Sequence, residues 1–141
     1  MRRAALAAIY HLAPLSEFRA GVKTGFYTPS RFALDGFVHC ADRGSVLAVA
    51  ADFFANVKEP VLLIAIDPER LGAPVIRETP APIPGGGASH LESAALFPHV
   101  HGPIALAAIT GIAQLVKRGE AFTWPDRWTP VRQVLGRGAV R

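Results

Sequence analysis

A single cysteine, Cys40, stands among 141 residues and has no partner for an internal disulfide. Nothing therefore implies an oxidising compartment, and stability must come from an apolar core. No run of about 18 apolar residues occurs, so neither a membrane span nor a membrane partner is expected. The charged start Met1-Arg2-Arg3 imitates a signal peptide, but Tyr10-His11 break the following apolar stretch after six residues. An exported segment uses roughly 7–15, so a cytoplasmic protein is expected. Internal repeats are missing, and so are Cys-x-x-Cys and His-Glu-x-x-His pairs, the usual signs of a metal centre. The glycine triplet 85–87 lacks the Lys-Ser/Thr of a phosphate-binding loop and reads as a hinge. Charge is sparse too, at 18% of residues against 50% apolar, a globular composition.

The net charge of +4 is unevenly placed: six basic and two acidic residues lie from Lys117 onward, and nine of each precede it. Residues 5–118 are expected to form one α+β domain and 119–141 a basic, partly disordered tail. A nucleic-acid partner is not expected, although Arg127, Arg132, Arg137 and Arg141 are spaced to touch phosphates.

Residues 5–12 read as a first strand. Pro14 opens a helix of about ten residues carried by Leu15, Phe18 and Val22 and stopped by Gly25. Phe26–Arg31 is a short extended piece, and Asp35-Gly36 a turn into the strand-like Phe37–Cys40. Asp42 is a suitable N-cap for an amphipathic helix reaching Asn56. Val61–Ile66 is an unbroken apolar run, expected to be a central strand buried on both faces. Val75–Glu78, Leu96–His101 and Ala107–Val116 read as further strands. Residues 79–95, with Pro80, Pro82 and Pro84 ahead of the glycines, read as a long inserted loop.

What the chain does have is histidine in short β-like strings: Tyr10-His11, Phe37-Val38-His39-Cys40 and Phe97-Pro98-His99-Val100-His101. His39 precedes a predicted helix N-terminus, where backbone N–H groups favour anions, though a histidine bonded to a backbone carbonyl fits equally. His99 and His101 share one face of a strand, and a metal site there would need a carboxylate to converge on both. No metal is expected. Cys40 reads as a small core residue rather than a nucleophile. Glu78 and Glu92 are the carboxylates nearest in sequence to the last histidines and are available to orient one or to stabilise positive charge.

The order Ile-Tyr-His, Gly-Phe-Tyr-Thr-Pro-Ser, Gly-Phe-Val-His-Cys-Ala, an apolar strand ending in Ile-Asp, a glutamate, and Phe-Pro-His-Val-His-Gly-Pro closely resembles a bacterial family of unknown function, number 952, over residues 8–116. The chain departs from it at Ala41, where the family has a hydroxyl, at His101, where it has tyrosine, and in the length of 79–95. Glu78 is then the match to the family's glutamate, and Glu92 belongs to the insert. The family is similar in fold to ADP-ribosyltransferases, which implies a curved mixed β-sheet with two main flanking helices and NAD as possible cosubstrate. By that resemblance His11 is the first-strand residue that contacts the adenosine-side ribose, Tyr27 or Ser30 lines the pocket, and His39 and Glu78 are catalytic; His99 is expected to line the same cleft and bind the nucleotide. A Glu78 remote from His11 and His39 excludes this reading. The rival is a non-catalytic ligand-binding or protein-interaction module with structural histidines, a reading that Ala41 favours.

Overall fold

The computed structural model describes residues 7–79, 96–119 and 121–136. Strand β1 (Ile9–Pro14) runs into helix α1 (Leu15–Gly21), with Pro14 at its N-cap. The helix is shorter than its apolar spacing predicts because Val22 is already extended. Val22–Lys23 (β2) and Phe26–Tyr27 (β3) form a hairpin turned at Gly25, whose φ of 81° suits glycine. A short helix, α2 (Phe32–Asp35), precedes β4 (Val38–His39), and α3 spans Val46–Phe54. The remaining elements are β5 (Val61–Ile66), β6 (Val75–Glu78), β7 (Phe97–Val100), β8 (Ile104–Ala105), β9 (Ile109–Gln114), β10 (Val116–Arg118), β11 (Ala121–Thr123) and α4 (Val131–Leu135).

The chain is an α+β protein with α1 and α3 as its main helices, but the expected single mixed sheet is not what forms. Among the described residues every strand pairing is antiparallel, in four small sheets ordered β1-β5-β9, β4-β7-β6, β2-β3-β8 and β10-β11. An unbroken apolar run reports burial on both faces, not the direction of its neighbours. β5 is the central strand of its sheet and is buried at all six positions. Leu62, Ile64 and Ile66 enter a core with Phe18, Tyr27, Val38 and Ile104, whereas Val61 and Leu63 join Val46 and Ala50 of α3 in a second core.

Two further expectations need correction. Asp42 does not cap α3: Ser45 is its N-cap, and the Asp42 carboxylate instead takes a bidentate pair from Arg77 at 2.6 and 3.1 Å. His39 thus lies seven residues before the helix, not at its N-terminus. Residues read as a tail also carry structure: β11 pairs with β10, Phe122 is buried in the second core, and Thr129 bridges Ile112 of β9. Trp128 packs over Gly111, and Trp124 meets Tyr10 edge-on at 5.3 Å. These apolar contacts outweigh the basic composition that suggested a solvated end. The inserted loop, apart from Thr79, and Glu92 lie outside the described residues. No described helix is long and apolar enough to cross a membrane.

Candidate functional site

The strand order carries the histidines together. β7 lies between β4 and β6, placing His39 opposite His99 and Ile76 on the other side of it. Alternation along β6 puts Glu78 on the face of Ile76, and alternation along β7 puts His101 on the face of His99. Glu78 Oε1 accepts from His99 Nδ1 at 3.0 Å and from His101 Nε2 at 2.8 Å. Both imidazoles bond one oxygen, so Oε2 accepts from neither. These donors, His101 first and His99 second, hold the Glu78 carboxyl below its ordinary range. Burial is the larger influence on His99 and pulls its ring down against the pull of Glu78, so this imidazole is neutral at pH 7.

Phe37 sits in the middle of this group. Its ring stacks on His99 at 4.2 Å with a 17° interplanar angle, and lies 4.6 Å from His39 and 5.3 Å from His101. Gly36, at φ 79°, ends α2 and turns the chain so that Phe37 and His39 leave on one face of the strand. Across that turn, His39 Nε2 donates to Asp35 Oδ2 at 2.9 Å, a bond that chiefly holds the Asp35 carboxyl low.

A second group begins at the backbone of His39. His11 Nδ1–H donates to the His39 carbonyl at 2.6 Å, which makes Nε2 the acceptor of the Tyr27 hydroxyl at 3.2 Å. Burial dominates both: the His11 ring is pushed down to about 4, and the Tyr27 phenol is raised far above its ordinary value. Gly21 makes this packing possible, since a Cβ there would lie 2.3 Å from the Thr28 carbonyl and 2.7 Å from the Tyr27 ring.

The structure therefore links His11, Tyr27, His39, Glu78 and His99 in one connected set, Glu78 through its bond to His99 and His99 through its edge-on contact with the His39 ring at 5.1 Å. Ser30 is apart from it: its hydroxyl and N–H bond to Glu17, whose charge acts on His11 and Tyr27. Neither ring nitrogen of His11 is left for a ligand. His99 is buried, whereas the side chains of His39, Glu78 and His101 keep 39, 38 and 30% exposure and form the accessible part. His99, His101 and Glu78 do converge, but no group of described His, Cys, Asp or Glu residues is arranged to hold a metal ion. The Cys40 thiol is buried and raised by that burial, as a core residue is.

Sequence reasoning missed Phe37, Asp35 and Glu17. The spacing of Phe37 from His39 already implied a shared face of one strand; nothing in the sequence announced the other two as partners of the histidines.

A family model for a protein of unknown function, DUF952, matches residues 12–112. The crystal structure of protein CC0527 from Caulobacter crescentus is 24% identical with a TM-score of 0.64, over 82% of this chain and 92% of that one. The solution NMR structure of CC0527 gives 21% identity and a TM-score of 0.53 over 90 and 94% of the two chains. This likeness shows the shared fold. Among curated proteins no match was found.

Proposed function

The chain belongs to the DUF952 family of proteins of unknown function, and from its site we propose that it binds NAD or another ADP-ribose-containing nucleotide and acts in ADP-ribosyl transfer. The observation that carries this reading is Glu78, a part-exposed carboxylate held ionised by two imidazole donors, His99 and His101, whose rings lie against Phe37, His99 also meeting the His39 ring at 5.1 Å. Cleaving the nicotinamide–ribose bond develops positive charge on the sugar. A fixed carboxylate next to it stabilises charge that exists mainly in the transition state. Phe37 offers a flat apolar surface for a ring, and His39 and His101 offer polar atoms at its border.

The residues fit the nicotinamide-ribose end of such a ligand better than the adenosine end. His11, assigned to the latter by resemblance to ADP-ribosyltransferases, has both nitrogens engaged within the protein. Its part, and that of Tyr27, is to hold the backbone that carries His39.

The test pairs binding with turnover. Thermal-shift titration with NAD, ADP-ribose and nicotinamide is expected to give a saturable rise in Tm, and nicotinamide release is expected to be lost in Glu78→Gln while the Tm shift remains. Absence of any shift at millimolar ligand overturns the reading. A shift without nicotinamide release supports the rival, a non-catalytic ligand-binding module, which the internal bonding of His11 and the burial of His99 favour.

A further inference from the structure

We propose that Asp35 is a positioning residue that fixes His39 as the Nε2–H tautomer and so presents Nδ1 as the proton acceptor of the site. The observation is the 2.9 Å bond from His39 Nε2 to Asp35 Oδ2. Asp35 is the better protected partner, its side chain 15% exposed against 39% for His39. Its carboxyl is held low and is ionised at neutral pH, so it can only accept. The neutral imidazole must then carry its proton on Nε2 and its lone pair on Nδ1. Arg31 donates to both Asp35 oxygens, to Oδ1 at 3.3 Å and to the shared Oδ2 at 3.4 Å, and completes the brace.

Four charged or titratable groups bear on the pair. Asp35 and Arg31 face it from α2, His99 lies 5.1 Å from the His39 ring on β7, and His11 binds the His39 carbonyl from β1. Since His99 and His11 are neutral at pH 7 and Arg31 reaches only Asp35, the charge in direct contact with the His39 ring is the Asp35 carboxylate.

The chemical role rests on the ADP-ribosyl-transfer reading. There the nicotinamide–ribose bond breaks with its electron pair leaving on neutral nicotinamide. The oxygen of an acceptor hydroxyl or water bonds the ribose carbon, and its proton passes to His39 Nδ1. The imidazolium so formed is stabilised by Asp35, as a buttressing carboxylate stabilises the base of an acid–base pair.

Long-range 1H–15N NMR on histidine-labelled protein reads the tautomer without needing turnover. The expected result at pH 8 is an Nε2–H ring for His39 in the native protein and loss of that fixed tautomer both in Asp35→Asn, whose amide donates as well as accepts, and in Asp35→Ala. In turnover, Asp35→Asn is expected to lower kcat on the order of 100-fold and leave KM for NAD nearly unchanged. An Nδ1–H ring in the native protein, or a tautomer unaffected by Asp35→Ala, overturns the proposal, as does an Asp35→Asn variant as fast as the native protein. If the tautomer depends on Asp35 but the native protein releases no nicotinamide, the nucleotide reading alone is lost and the positioning of His39 stands.

Discussion

His11 grips His39 by its backbone rather than its ring: the 2.6 Å bond from His11 Nδ1 ends on the His39 carbonyl, leaving the His39 side chain to Asp35. A buried neutral imidazole thus serves as a strut between β1 and β4, the strand that bears His39.

That strut carries a pH dependence. The native ring has its pKa lowered from 6.5 to about 4, so between those values the unfolded chain binds a proton that the native state refuses. The contribution is fully present above pH 6.5 and is lost as pH falls toward 4. At about 1.4 kcal/mol per pH unit it amounts to about 3 kcal/mol. Urea unfolding at pH 7.5 and 4.5 should show a loss of this order in the native protein and a much flatter response in His11→Gln; equal slopes would refute the strut. Asp35 and Glu78, both held low by imidazole partners, add a loss of the same sign below their unfolded values.

Removing the hydroxyl in Tyr27→Phe deprives His11 Nε2 of its donor in a buried place and should cost about 1–3 kcal/mol. Chemical denaturation checks this. A cost below about 0.5 kcal/mol would mean that the 3.2 Å contact contributes little.

Gly21→Ala forces a methyl group into the Thr28 carbonyl and the Tyr27 ring, with a cost of about 1–3 kcal/mol expected from overpacking. Gly44→Ala is the control, because a Cβ there meets nothing within 4 Å. Equal midpoints for the two variants would contradict the close approach at Gly21.

Phe122→Ala should destabilise by about 3–5 kcal/mol, the usual cost of emptying a buried aromatic position. A change within about 0.5 kcal/mol would instead restore the picture of a solvated tail.

A double-mutant cycle on Asp42 and Arg77 separates an ion pair from a helix cap. Both side chains are substantially exposed, so the coupling should be below about 1 kcal/mol despite its bidentate geometry. In the Arg77→Ala background, Asp42→Ala should be nearly neutral; a further loss of about 1 kcal/mol there would mark a cap after all.

The elements best read from sequence are those whose pattern is decided locally. Val61–Ile66 and Val75–Glu78 fall on β5 and β6 because apolar runs and flanking prolines set strand ends without help from distant contacts. The end of α1 was not legible, since pairing of Val22 with Tyr27 overrides helical spacing. Nor was the fate of Asp42, because a good capping side chain gives no hint that an arginine 35 residues later will claim it. The C-terminal segment failed for the opposite reason: β11 and α4 have three and five residues, too few for a period to show. At the site, the histidines stood out by their short aromatic, β-like strings, and Glu78 by its place near the last histidines and its match to the family's glutamate. Asp35, seen only as half of a turn, is recognisable as a partner of His39 once Gly36 has reversed the chain.

The lone Cys40 acquires a use from its position. It is buried at the end of the strand that bears His39, with its N–H bonded to the Pro98 carbonyl. A thiol reagent can reach it only when that strand parts from its neighbours, so the rate of alkylation under native conditions is a clock for openings of the site wall. The unmodified protein therefore carries its own reporter of local breathing, one residue from His39.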